Sequence, residues 1–134
     1  MITSLVFSMV LQAGAAADEL DCANAMNQQD MTICARRDFE AADADLNLVW
    51  RRIIADEQAN DREYNRTITD GRRMDGEAVL REAQRAWVAL RDAQCTHESY
   101  ESFGGTMEPM LFNDCRAQMT RARITELSTP SINR

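Results

Sequence analysis

Four cysteines constrain this 134-residue chain more than any other feature, because each disulfide would tie two separate points of a small fold together. They lie at positions 22, 34, 95 and 115 and permit three connectivities. We favour Cys22–Cys34 with Cys95–Cys115, because each pair closes a short loop and flanks a predicted turn. A bridge of that loop length contributes about 3 kcal/mol to stability in the chain-entropy treatment.

The first seventeen residues predict export, the condition under which disulfides persist. They contain no charged side chain, are too short to span a bilayer and end in an Ala-x-Ala motif at Ala15 and Ala17. We predict a signal peptide over 1–17, cleaved near Ala17, and a periplasmic or secreted mature protein. A plain apolar N-terminus or a misassigned start is the alternative, since no Lys or Arg precedes the apolar run.

The pattern of apolar residues predicts an all-α protein. With Asn27 as N-cap, apolar residues recur every three or four positions, which indicates one long helix over 28–59. Its expected inner positions are Met31, Ala35, Phe39, Ala42, Leu46, Val49 and Ile53. The polar stretch 60–76 predicts a loop, with turn signals at Asp70-Gly71 and Asp75-Gly76.

Two further helices follow. The second is expected over 77–103, with Leu80, Ala83, Trp87, Leu90 and the Gln94/Cys95 turn on its inner edge, and Gly104 as a left-handed residue after it. The third is expected from a Thr106 cap to Leu127, with Leu111, Cys115, Met119 and Ala122 inside. These elements make one helical domain over 18–130, a small three-helix bundle stapled by two disulfides, followed by a frayed tail over 131–134.

The sequence carries no catalytic constellation. Its single histidine, His97, lies two residues from Cys95, and helical geometry points the two side chains about 200° apart, which is unsuited to a Cys–His dyad. No HExxH, GxSxG, Walker or dinucleotide motif occurs. The cysteine gaps lack the close pairing of zinc sites. We therefore expect a protein that is not an enzyme and has no metal or cofactor.

One strip of the second helix combines polar and apolar residues in an unusual way. Steps of three and four place five side chains along it, namely Gln84, Trp87, Arg91, Cys95 and Glu98. One interpretation is a partly buried polar network that orients the helices. The other is a recognition surface that joins this strip to an exposed apolar turn containing Phe103, Met107 and Met110.

The charge balance indicates which classes of partner the protein can bind. The chain has 15 basic and 22 acidic side chains, a net charge of −7, and the predicted cleavage removes none of them. Such a surface repels nucleic acid and attracts basic proteins. We expect a protein partner, no nucleic acid and no membrane span.

Four segments resemble the LprI-type lysozyme inhibitor family. They are DCANAMNQQDMTICARRDFEAADADLN, QRAWVALRDAQC, GGTMEPM and CRAQMTRARITEL, in an order that covers about residues 22–127. The resemblance implies an exported helical domain and, for some members, inhibition of lysozyme, a strongly basic enzyme. It favours a binding protein that blocks a basic muramidase by protein–protein contact. The alternative is an envelope module that binds another protein or a small ligand.

Overall fold

Three α-helices make up the part of the chain that the structure describes. The computed structural model describes residues 20–129 apart from 72 and 74. Helix α1 spans Gln28–Thr67, α2 spans Gly76–Ser99 and α3 spans Glu108–Ser128, with a 3₁₀ turn, Tyr100–Ser102, between α2 and α3. The described residues contain no strand, so the predicted all-α class is confirmed. The predicted signal peptide (1–17) and tail (131–134) lie outside the described residues.

Both disulfides have the predicted connectivity. Cys22 is bonded to Cys34, with 5.6 Å between their Cα atoms, and ties the segment before α1 to its second turn. Cys95 is bonded to Cys115, with a Cα separation of 5.4 Å, and ties the end of α2 to α3. Since no cysteine is free, the thiol chemistry considered for Cys95 is absent.

Helix α1 begins where the sequence predicts and ends later. The Asn27 side chain accepts a hydrogen bond from the Asp30 backbone N–H at 2.9 Å, which caps the helix. The predicted end near residue 59 is wrong, because α1 continues to Thr67. Asp61 in its last turns contacts the start of α2, and Tyr64 contacts Arg73 in the loop before it. Packing therefore stabilises a polar stretch that local sequence presents as a loop.

The predicted boundaries of α2 and α3 also need correction. Helix α2 ends at Ser99 instead of Phe103, because the chain tightens into the 3₁₀ turn. Gly104, with φ of 72°, has the predicted left-handed conformation after that turn. Helix α3 starts at Glu108, after Met107 rather than a Thr106 cap, and the Glu108 carboxylate accepts the Gly104 N–H at 2.7 Å.

The three helices overlap over only part of their length. Short connections make α2 antiparallel to α1 and return α3 parallel to α1. The ion pair between Arg121 of α3 and Asp38 of α1 marks a common level of the two helices. From that level α3 ends after 7 residues, whereas α1 continues for 29 residues. At 1.5 Å per residue, about 30 Å of α1 extends past the end of α3. This region, with the start of α2, is called the hairpin segment (residues 50–88).

The buried interior is small and partly polar. Its apolar members are Ala35, Ala42, Leu46, Ile54, Cys95, Cys115 and Ala117. The buried row of α2 is Arg91, Cys95 and Ser99, at steps of four. The predicted inner edge of α2 is therefore wrong in part, because Leu90 is 57% exposed and Ala83 and Gln94 are exposed. On α3 the predicted inner residue Ala122 is exposed, while Thr120 is fully buried.

Candidate functional site

Arginine and aromatic side chains alternate in a ladder that crosses all three helices. The Arg116 guanidinium lies 4.2 Å from the centre of the Phe112 ring and 3.8 Å from that of Phe39. Arg91 continues the series at 5.1 Å from Phe39 and 5.2 Å from Trp87. Arg123 ends it, 5.7 Å from Trp87. Stacking of this kind holds charged groups against apolar rings without excluding them from hydrogen bonding.

Arg91 is the buried centre of this ladder, with only 5% of its surface exposed. Its Nε donates to the Asp92 carboxylate at 2.9 Å. Its Nη1 donates to Asp43 of α1 at 3.4 Å and to the Thr120 hydroxyl of α3 at 3.3 Å. One side chain therefore joins all three helices.

The other members of the predicted strip have different partners. Gln84 accepts a hydrogen bond from Arg123 Nε at 3.1 Å, which brings it to the end of the ladder. Trp87 is half-buried between two guanidinium groups. Glu98 does not meet Arg91; it is exposed and accepts from Gln94 at 3.1 Å. The strip thus divides into a structural part and a solvent-facing part.

Arg116 is the least satisfied member of the ladder. Its Nη2 donates to Asn113 Oδ1 at 2.6 Å, but its buried Nε has no hydrogen-bond partner among the described residues. Burial lowers the pKa of this guanidinium below its usual value, although the group remains charged. Burial, followed by the nearby charge of Asp38, raises the pKa of Asp114.

Sequence reasoning did not single out Phe39, Phe112, Arg116 or Thr120 as members of this network. Cation–π pairs between different helices have no fixed sequence spacing, so no local pattern identifies them. The available signal was the absence of lysine: all 15 basic residues are arginine, the cation that stacks on aromatic rings.

The turn between α2 and α3 presents apolar side chains to solvent. Phe103 is 75% exposed and contacts Tyr100 edge-on, with ring centres 5.3 Å apart. Met107 is also exposed, whereas Met110 is half-buried and receives the Gln28 side-chain amide at 3.5 Å. The exposed turn is defined here as residues 100–107. Of the three apolar residues predicted for a recognition turn, Phe103 and Met107 project into solvent and Met110 does not.

The exposed turn is held in place from both sides. The Cys95–Cys115 bridge closes its base, and the Gly104 N–H bonds to the Glu108 side chain at 2.7 Å. The Gly105 N–H bonds to the Ser102 carbonyl at 2.8 Å. Because the backbone is fixed in this way, its aromatic residues meet a partner with little ordering cost.

Negative charge is concentrated at the same end of the molecule. From position 92 to position 114 the sequence has five carboxylates and no Lys or Arg: Asp92, Glu98, Glu101, Glu108 and Asp114. In contrast, the hairpin segment has eight arginines and eight carboxylates and is electrically neutral. The net charge of −7 therefore comes entirely from residues outside the hairpin segment.

The described part of the chain has no cluster of metal-ligating side chains, because no three His, Cys, Asp or Glu side chains are grouped there. His97 is exposed, and the nearby Cys95 is bonded to Cys115. None of the described helices is long and apolar enough to cross a membrane.

Comparison with known proteins identified a family and a relative. The family described as "Lysozyme inhibitor LprI" matches residues 21–127. An uncharacterized protein of Rhizobium meliloti (strain 1021) is 42% identical over 124 residues, which is 92% of this chain and 88% of that protein. The search of solved structures found no match.

Proposed function

The chain belongs to the LprI lysozyme inhibitor family, and from this membership we propose that it is an exported protein that inhibits a basic muramidase by direct contact. It acts by occupying a surface of the enzyme, without turnover and without a cofactor. The relative from Rhizobium meliloti is uncharacterized and adds no function of its own.

The observation that carries the proposal is the exposed turn. Phe103 and Tyr100 offer rigid aromatic area, the kind of side chain that dominates binding energy at protein interfaces. Glu98, Glu101 and Glu108 lie close to them in the sequence and add negative charge. A basic enzyme is attracted to this end by its charge and is held there by burial of the aromatic pair.

The arginine–aromatic ladder has a supporting role in this proposal. Its central residue, Arg91, is buried and inaccessible to a partner. By joining α1, α2 and α3 it fixes the relative position of the two helices that carry the turn. We therefore assign Gln84, Trp87 and Arg91 to the scaffold and Phe103, Met107 and Glu98 to the contact surface.

The proposal is tested by clearing of a cell-wall suspension by a basic lysozyme in the presence of the purified, oxidised protein. We expect dose-dependent inhibition. Phe103→Ala is expected to weaken inhibition at least about tenfold, because it removes the central aromatic contact. Leu48→Ala is the matched control, since Leu48 is 59% exposed on α1 and lies outside the turn. Its inhibition is expected to equal that of the unmodified protein.

Two results would contradict this function. Absence of both inhibition and calorimetric binding at low salt would exclude lysozyme as the partner. Binding without inhibition would instead support the alternative of an envelope interaction module. Export is tested separately by N-terminal sequencing of protein from the periplasm, where we expect cleavage after Ala17 and where an intact Met1 would contradict it.

A further inference from the structure

A groove lies between α1 and α2, at the level where the hairpin segment begins. Trp50 of α1 and Val88 of α2 supply its apolar lining, while Arg81, Gln84 and Arg85 supply its polar groups. Its volume is about 330 Å³. This is at the small end of ligand pockets and suits one six-membered ring with a substituent.

The polar groups of this groove are cationic or neutral. It contains two guanidinium groups and one amide and has no carboxylate, although the protein as a whole is acidic. Neighbouring grooves differ, because one combines Arg62 with Asp61 and Asp75 and another combines Arg73 with Glu57. In these neighbours carboxylates line the same groove as the arginines, whereas no carboxylate lines the Trp50 groove. Glu77 balances the charge of Arg81 from outside the groove, which leaves Arg85 as its unbalanced cation.

The donors of the groove are positioned and partly free. Arg81 is held by the Glu77 carboxylate, with Nε 2.8 Å from Oε1, and this bond leaves its Nη1 free to donate. Arg85 has neither a hydrogen bond nor an ion pair with any described residue. Gln84 uses its Oε1 to accept from Arg123, so its amide hydrogens face no acceptor in the described structure. The half-buried Trp50 also has no acceptor there for its indole N–H.

We propose that this groove binds a small molecule in which a carboxylate is attached to a six-membered ring. The carboxylate accepts hydrogen bonds from Arg85 and Arg81, because planar guanidinium groups match the two oxygens of a carboxylate. The ring packs on the indole of Trp50. This site is separate from the exposed turn, so it goes beyond the proposed inhibition and does not depend on it.

The test uses two ring carboxylates, glucuronate and benzoate, to distinguish a sugar ring from an aromatic ring. Titration at low salt is followed by the indole N–H resonances of the two tryptophans in NMR. We expect at least one probe to shift the Trp50 resonance in a saturable way while that of Trp87, which lies between Arg91 and Arg123, stays in place. Methyl glucoside and benzyl alcohol, which lack the carboxylate, are expected to leave both resonances unchanged.

Two arginine variants separate specific recognition from general charge. Arg85→Gln is expected to weaken binding about tenfold, because it removes a charged hydrogen-bond donor from the groove. Arg52→Gln removes an equal charge from an exposed position of α1 outside the groove and is expected to change binding less than twofold. Both residues are exposed, and circular dichroism checks that both variants fold. Absence of a Trp50 shift with either acid, equal shifts with the neutral analogues, or equal weakening by the two variants would each overturn the proposal.

Discussion

Arg91 makes the small core of this protein partly polar. Its guanidinium combines ring stacking on Phe39 and Trp87 with hydrogen bonds to three side chains. A leucine at this place could fill space but could not bond Thr120, which is fully buried. The protein thus replaces part of an aliphatic core with stacked and hydrogen-bonded arginine, and the buried cation is tolerated because it has partners.

At this scale we predict that Arg91→Ala lowers the free energy of unfolding by about 1.5–3 kcal/mol, the range for losing hydrogen bonds to a charged group. Urea denaturation followed by circular dichroism measures the loss. Arg37→Ala is the control, because Arg37 is exposed and is expected to have little effect. Unchanged stability of Arg91→Ala with lost partner binding would overturn the scaffold role assigned to Arg91.

At the scale of the elements, the connection between α1 and α2 depends on an N-terminal cap of α2 that a side chain of α1 supplies. Asp75 makes no side-chain cap for α2. Instead, Asp61 of α1 accepts the backbone N–H groups of Gly76 at 2.8 Å and Glu77 at 2.9 Å, and it also pairs with Arg73 at 2.6 Å. A carboxylate at a helix N-terminus satisfies free N–H groups and the helix dipole together.

This cap predicts a defined pH dependence. The Glu77 N–H, followed by Arg73 and the Gly76 N–H, lowers the pKa of Asp61 from 3.8 to about 2. Because the folded pKa is the lower one, the stabilisation is complete above about pH 4 and is lost as the pH falls toward 2. We expect Asp61→Asn to be less stable than the unmodified protein at pH 7, with a difference that shrinks between pH 4 and 2.

Urea denaturation of Asp61→Asn and of the unmodified protein from pH 7 to pH 2 measures the difference in their free energies of unfolding. Asp56→Asn is the control, since Asp56 is exposed on the same helix. The free energies of unfolding of Asp61→Asn and the unmodified protein could instead differ by a constant amount from pH 7 to pH 2. That result would show that the carboxylate charge does not stabilise the connection between α1 and α2.

The sequence allowed the helix number and the disulfide pairing to be predicted, because each depends on local pattern or on short-range closure. The end of α1 could not be predicted, since Asp61 acquires its role only when α2 folds back against it. The inner edge of α2 was partly missed for a related reason. Hydropathy favours Leu90 over Arg91 as a core residue. The partners that reverse this order include Phe39 and Asp43 of α1 and Thr120 of α3, which no pattern within α2 reveals.

At the scale of the whole molecule, the two ends differ in charge and in structure. One end has the disulfides, the exposed turn and the excess of carboxylates, while the hairpin segment is neutral. If the proposed inhibition is correct, the acidic end directs the approach of the basic enzyme. The position of a charge should then matter more than the total charge.

We therefore predict that Glu101→Lys slows association with a basic lysozyme by roughly three- to fivefold at low ionic strength. Glu82→Lys changes the net charge equally but lies in the neutral hairpin segment, and we expect a smaller effect. Stopped-flow measurements of the association rate from about 20 to 500 mM salt test this prediction. The difference in rate between the two variants should vanish at the highest salt concentration, because salt screens the charges. Equal slowing by both variants would indicate that only the total charge acts.

The placement of the disulfides also determines which part of the protein opens first. Both covalent links lie at the end that carries the exposed turn, and none lies in the hairpin segment. We therefore expect thermal opening to begin where two helices lack a third, at a lower free-energy cost than global unfolding. The exposed turn is expected to stay folded through these openings. The far end could then open and close repeatedly while the surface proposed to meet a partner keeps its shape.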